Sequence, residues 1–153
     1  MAAIVVALAM PGTGQAISAG KTCRMYQSCA HHGTTYRVTR VKITRSIGSG
    51  YSRETTSGRF IVISITLTDT KSSPSTILAS NLTLMSRRGD SYEVTDRAFA
   101  VFKNGLDLLE NIQPHLPKAD ILVYELPASA VRGSVLQIND LWSGDKAKIT
   151  LGI

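Results

Sequence analysis

Strict alternation between residues 60 and 69 constrains the fold more than any other feature of this sequence. Aliphatic side chains occupy every second position and small polar ones fill most of the gaps; the aliphatic set is Ile61, Ile63, Ile65 and Leu67. Successive side chains of a β-strand point to opposite faces, so the pattern predicts a long strand with one buried face. Phe60 and Val62 fall on the other face, which indicates that a loop or a neighbouring strand covers its first half there.

The same two-residue period recurs along the chain from residue 36 onward. Further strands are predicted at four places: around Leu84, around Tyr124, from Val135 to Ile138, and from Lys146 to Ile153. Pro127 ends the strand that contains Tyr124, because proline cannot donate to a β-ladder. Stretches rich in Gly and Ser separate these runs and are typical of tight turns. Repeated short strands of this kind predict an all-β sandwich or barrel.

The strand that begins at Tyr36 has a break in its alternation. Tyr36 and Val38 have even parity, whereas Val41 and Ile43 have odd parity. A β-bulge adds one residue to a strand, so a bulge near Thr39 would return the four apolar side chains to one face. We therefore predict a bulge at this point.

Residues 96 to 110 depart from the β pattern. Asp96 is placed to cap a short helix that would carry Ala98, Phe99 and Phe102. We interpret this stretch as a long, partly helical connection that plugs one end of the core.

Residues 1 to 19 have the outline of a secretory signal peptide. An apolar run from Met1 to Met10 is followed by Pro11 and by small residues at Gly14 and Ala16. The run is too short to span a bilayer as a helix, which takes roughly 20 apolar residues. No Lys or Arg precedes it, so the basic start of a typical signal is missing. The alternative is a buried N-terminal strand or helix of a cytosolic protein; we expect a secreted or extracytoplasmic protein.

Cys23 and Cys29 lie just after this segment. An even cysteine count in an exported chain favours pairing, and a disulfide here would contribute about 2–3 kcal/mol in the chain-entropy model. The alternative is a metal site that combines a cysteine with His31 and His32, since thiolates and imidazoles suit zinc or copper. We divide the chain into a signal-peptide-like segment (1–19), a polar N-terminal segment with both cysteines (20–35) and a β-domain (36–153).

The order of motifs in the β-domain resembles that of a known family. Three patterns follow one another: Gly58-x-Phe60 at the start of the long strand, Leu84-x-x-x-x-Gly89-x-x-Tyr92, and Ile112-Gln-Pro114 before a strand ending in Tyr124-Glu-Leu-Pro127. This order is similar to that of the domain of unknown function 4352 family, and to the mycobacterial immunoprotective extracellular protein, which shares its fold. His115 replaces the family's usual Gly and Asp69 its usual Asn, both at turn positions.

The resemblance implies an immunoglobulin-like antiparallel β-sandwich of about seven to eight strands, with residues 96 to 110 as its long, partly helical insert. It also implies a bacterial protein that is exported or attached to the cell surface. It supplies no catalytic residues, and a fold alone does not give a function.

The common catalytic motifs are absent from the sequence, including the nucleophile elbow, the phosphate-binding loop and His-Glu-x-x-His. His115 lies between two prolines and is interpreted as a surface turn residue. Trp142 is interpreted as an anchor at the edge of the core rather than a stacking platform. We therefore predict a protein that is not an enzyme and has no cofactor or metal, with a small enzyme whose site is built from loops as the alternative.

Charge is the most suggestive functional signal. The formal net charge is +6, and Glu54 is the only acid among residues 1 to 60. The first strand carries four basic residues: Arg37, Arg40, Lys42 and Arg45. A basic strip on an exposed sheet face is suited to an acidic protein or an anionic partner in the cell envelope. The alternative is a solvated face whose charge prevents edge pairing. We expect no nucleic-acid partner, because no aromatic side chains are interleaved with the basic ones.

Overall fold

The computed structural model describes residues 20–97 and 101–153. Eleven strands lie in these residues: β1 (Lys21–Arg24), β2 (Cys29–His31), β3 (Thr34–Ile47), β4 (Glu54–Asp69), β5 (Ser75–Leu78), β6 (Leu82–Met85), β7 (Ser91–Tyr92), β8 (Leu109–Ile112), β9 (Lys118–Leu126), β10 (Val135–Asn139) and β11 (Lys146–Thr150). A short helix, α1 (Ala128–Val131), follows β9, and 3-10 turns occur at Gly50–Ser52 and Ala79–Asn81.

The strands form two sheets and a separate ribbon. The first sheet has the order β1-β11-β10-β6-β7, the second has the order β2-β3-β4-β9, and β5 pairs with β8 to form the ribbon. Neighbouring strands are antiparallel except β1 and β11, which are parallel. The predicted all-β sandwich is therefore confirmed.

The alternation of residues 60 to 69 places one face of β4 in the main core. Its four aliphatic side chains are buried there together with Leu84, Leu136 and Ile149 of the first sheet. Burying aliphatic side chains of this size contributes about 1.5–3 kcal/mol each. Phe60 and Val62 form a second, smaller apolar cluster on the outer face of the second sheet, so the prediction that this face is also covered is confirmed.

The predicted bulge in the first long strand is present. The pairing of β3 with β4 shifts register between Val38 and Arg40. Beyond the bulge, Val41 lies opposite Ile63 and Ile43 opposite Ile61, on the side of the main core. A second shift, which the sequence pattern did not indicate, lies between Thr44 and Ser46.

Residues 20 to 35 belong to the sandwich, which differs from the separate polar segment that we expected. β1 adds to the first sheet beside β11, and β2 adds to the second sheet beside β3. Cys23 and Cys29 are both buried in the main core. The polar composition was misleading because short edge strands bury only the one side chain that faces inward.

The described part of the connection between β7 and β8 contacts the outer face of the second sheet and also reaches the main core. Val101 and Phe102 pack against the outer cluster of Phe60 and Val62, while Leu106 is buried in the main core. Ala98 and Phe99 of the predicted helix lie outside the described residues, as does the signal-peptide-like segment. In the described part of the chain, no helix is long and apolar enough to cross a membrane.

Candidate functional site

Three of the predicted basic residues form a row on the outer face of the second sheet. Arg37 lies opposite Thr66, Arg40 opposite Ser64 and Lys42 opposite Val62 in the β3–β4 ladder, and all three side chains are exposed. The bulge after Val38 puts Arg40 and Lys42 on the same face as Arg37. We call these three residues the basic face.

Arg45 does not belong to this row. It is exposed, but it lies in the second bulge, between Thr44 and Ser46, where the ladder changes register. The hydroxyl of Thr44 accepts a hydrogen bond from the Ser46 N–H and donates one to the Ser46 carbonyl, which shapes the bulge. The sequence pattern missed the bulge because its local hydrogen bonds leave no mark on apolar periodicity.

The basic face has no partner carboxylate within ion-pair distance among residues 20–97 and 101–153. Glu125, on the same side of the sheet, is already paired with Arg97 at 3.2 Å. The basic face therefore carries positive charge that no nearby carboxylate in the described residues balances, whereas Glu125 is balanced by Arg97.

A groove runs along the basic face. It has a volume of about 390 Å³, with Arg40 and Lys42 on one side. Val62, Phe102 and Ile121 supply apolar lining. Arg and Lys side chains above an apolar floor can hold an anion while their stems cover the floor.

A second cluster lies at one end of the sandwich, where the β2–β3 turn meets the β10–β11 turn. His32 Nε2 lies 3.3 Å from Asp145 Oδ2, 3.6 Å from Asp140 Oδ2 and 3.2 Å from Ser143 Oγ; these are the members of the end cluster. The Ser143 hydroxyl donates to Asp140, and this bond is the largest contribution holding the pKa of the Asp140 carboxyl below its usual value.

The end cluster does not have the geometry of a catalytic triad. A triad places the serine on one ring nitrogen of histidine and the acid on the other, so that the acid orients the base. Here the serine and both carboxylates approach the same nitrogen, Nε2 of His32. The cluster ties two turns together and provides no relay for proton transfer.

The cysteines form a disulfide that joins the two sheets. Cys23 lies in β1 of the first sheet and Cys29 in β2 of the second, with their Cα atoms 5.8 Å apart. Both cysteines are used in this bond, so no free thiol remains for the alternative metal site with His31 and His32. The described residues contain no group of three or more ligating side chains suited to a metal ion.

The interpretation of Trp142 as an edge-of-core anchor is wrong. Trp142 is 95% exposed and its neighbour Leu141 is 64% exposed, in the turn between β10 and β11. The turn-forming sequence Ser143-Gly-Asp145, directly after Trp142, was the signal that this residue leaves the core. His115, in contrast, is an exposed turn residue with a positive φ of 57°, as predicted.

Comparison with known proteins identifies the fold. The structure is similar to the yjhA protein from Bacillus subtilis (TM-score 0.67, 12% identity, covering 84% of this chain and 99% of that one). It is also similar to MPT63, a secreted protein from Mycobacterium tuberculosis (TM-score 0.63, 12% identity, 86% and 96% covered). An uncharacterized β-sandwich protein from Clostridium difficile is a third (TM-score 0.52, 13% identity, 86% and 93% covered).

At these identities the similarity shows the fold alone. No family model matches the chain, and the search of curated proteins finds no match. The resemblance to the domain of unknown function 4352 family therefore stays a prediction, whereas the β-sandwich fold, shared with a secreted mycobacterial protein, is established.

Proposed function

We propose that this chain is an exported, non-catalytic binding module whose basic face attaches it to an anionic component of the cell envelope. The observation that carries the proposal is the row of Arg37, Arg40 and Lys42, exposed and unpaired with any carboxylate in the described residues. A row of like charges on a rigid ladder attracts an extended polyanion, because its potential adds along the strand.

Export is supported by two observations. A disulfide between buried cysteines persists in oxidising compartments and is rare in the cytosol. The fold is shared with a secreted protein from Mycobacterium tuberculosis. We expect residues 1 to 19 to act as the export signal. An acidic protein is the alternative partner for the basic face.

The absence of an assembled relay in the end cluster favours binding over catalysis. The groove beside the basic face brings together cationic side chains and an apolar floor, with no nucleophile and general base in hydrogen-bond contact among its lining residues. Such a surface can hold an anion without transforming it.

The test is sedimentation of the exported protein with isolated bacterial envelopes over a range of salt concentrations. Each basic residue close to an anionic surface contributes about 1 kcal/mol. Replacing all three by glutamine (Arg37→Gln, Arg40→Gln, Lys42→Gln) should therefore weaken binding by about a hundredfold and flatten its salt dependence.

A matched control removes the same charge elsewhere. Arg24→Gln, Arg88→Gln and Lys148→Gln change three exposed residues outside the second sheet and should weaken binding far less. Equal losses in the two triple variants would show that net charge, not the basic face, drives attachment. Loss of binding when a protease has removed the envelope proteins would show that the partner is a protein. That result, or no binding at all, would overturn the anionic-envelope proposal.

A further inference from the structure

The turn between β10 and β11 presents two large apolar side chains to solvent. Leu141 and Trp142 are adjacent in sequence and project from the same tight turn. We call this pair the apolar tip. Adjacent exposed apolar side chains can mark a surface that contacts a protein or a membrane.

The apolar tip is held by a dense set of hydrogen bonds. The carboxylate of Asp140 accepts bonds from the backbone N–H of Trp142 at 3.4 Å and of Ser143 at 3.0 Å. The backbone N–H of Asp140 donates to the Asp145 carbonyl at 3.1 Å, which closes the turn. His32 then ties both carboxylates to the second sheet. The tip is thus preorganised, so ordering it on binding costs little entropy.

Three lysines lie on segments next to the tip. Lys71 borders the same cavity as Leu141 and Trp142, which has a volume of about 270 Å³. Lys146 begins β11 directly after the turn, and Lys21 lies beside Ala147 in the neighbouring strand. The Asp140 carboxylate accepts hydrogen bonds from the backbone of the turn, and both it and the Asp145 carboxylate contact His32. The three lysines outnumber these two carboxylates, so the formal charge of the five residues is positive.

We infer that the apolar tip inserts into the interface of an anionic lipid bilayer. Tryptophan favours the headgroup region because its ring is apolar and its N–H is polar, and leucine reaches the acyl chains below. The flanking ammonium groups lie at the height of the headgroups, where they meet lipid phosphates. This inference rests on the proposed function in one respect: it takes the anionic envelope component to be lipid.

The chain contains a single tryptophan, so its fluorescence reports on the tip alone. The exported protein is mixed with vesicles of phosphatidylcholine containing phosphatidylglycerol, and with vesicles of pure phosphatidylcholine. Insertion predicts a blue shift of the emission and protection from an aqueous quencher, with the anionic vesicles only. Leu141→Ser, which keeps the fluorophore, should weaken binding to anionic vesicles about tenfold, as expected for losing one buried aliphatic side chain.

Tyr51→Ala is the matched control. Tyr51 is an equally exposed aromatic residue, but it lies in the β3–β4 turn, at the opposite end of β3 from His32. This variant should bind as the parent does. Sedimentation with the vesicles without a blue shift would overturn the tip inference and leave the basic face as the lipid contact. Binding to envelopes but not to vesicles would overturn it as well, while the proposed function stands on another envelope component.

Discussion

The hydroxyl of Tyr124 donates a hydrogen bond to the backbone carbonyl of Leu82 at 2.8 Å, and this bond connects the two sheets through the core. Tyr124 lies in β9 of the second sheet and Leu82 in β6 of the first, and both side chains are fully buried. A polar bond inside an apolar core fixes the register of the two layers, because a shift of either sheet leaves the hydroxyl without a partner.

Tyr124→Phe should lower the free energy of unfolding by about 1–1.5 kcal/mol, the typical net value of such a bond. Burial also raises the pKa of Tyr124 well above its usual value of 10.0. Stability from this group is thus fully present below pH 10 and is lost as the pH rises further. Urea unfolding at pH 7 and at rising alkaline pH checks both points. If the free energy of unfolding fell as steeply at alkaline pH in the phenylalanine variant as in the parent, the predicted role of Tyr124 ionisation would be contradicted.

Reduction of the disulfide should lower the free energy of unfolding by about 2 kcal/mol, the chain-entropy value for so short a loop. The bond joins Cys23 and Cys29 across the two sheets, so its loss frees the first two strands together. Unfolding in urea with and without reductant measures the effect. The double variant Cys23→Ala, Cys29→Ala serves as control because it should no longer respond to reductant. If reductant left the urea midpoint of the parent protein unchanged, the prediction would be contradicted.

Asp120→Asn should raise the melting temperature by a few degrees at pH 7. Asp120 is 2% exposed, and its Oδ2 atom is buried without a hydrogen-bond partner. Burial raises the pKa of its carboxyl, although Lys118 opposes the shift. A raised pKa means that this group stabilises the fold at acid pH and loses that contribution as the pH rises.

The asparagine variant lacks this titration, so its advantage should vanish at about pH 3, below the ordinary carboxyl pKa. Calorimetry at the two pH values checks the difference, and Glu93→Gln, at an exposed position, should change neither melting temperature. A variant that is equally stabilised at both pH values would show that the effect does not come from the charge.

His32→Asn should loosen the β10–β11 turn without unfolding the protein. His32 has a positive φ of 47°, which asparagine tolerates, so the backbone is preserved while the contacts to Asp140 and Asp145 are lost. The pairs are partly exposed, so the free energy of unfolding should fall by less than about 1 kcal/mol. Faster amide exchange at Asp140 and Asp145 is the expected readout. Unchanged exchange there would show that the turn is rigid without His32.

Much of the fold was predictable because it follows from side-chain periodicity. Alternation identified the strands around Ile63, Tyr124 and Ile149, and the parity break after Val38 identified the first bulge. The second bulge was not predictable, since it depends on hydrogen bonds between Thr44 and Ser46. The strands near the N-terminus were missed because a short edge strand has too few buried residues to show a period.

The sequence by itself determined the all-β fold, since alternating burial is a local property of each strand. It also showed which residues could form a basic strip. Only the tertiary structure decided that Arg45 leaves the face shared by Arg37, Arg40 and Lys42, because the second register shift depends on pairing with β4. It alone brought His32 to Asp145. Contacts between distant residues depend on how the two sheets pack, and local periodicity carries no information about that packing.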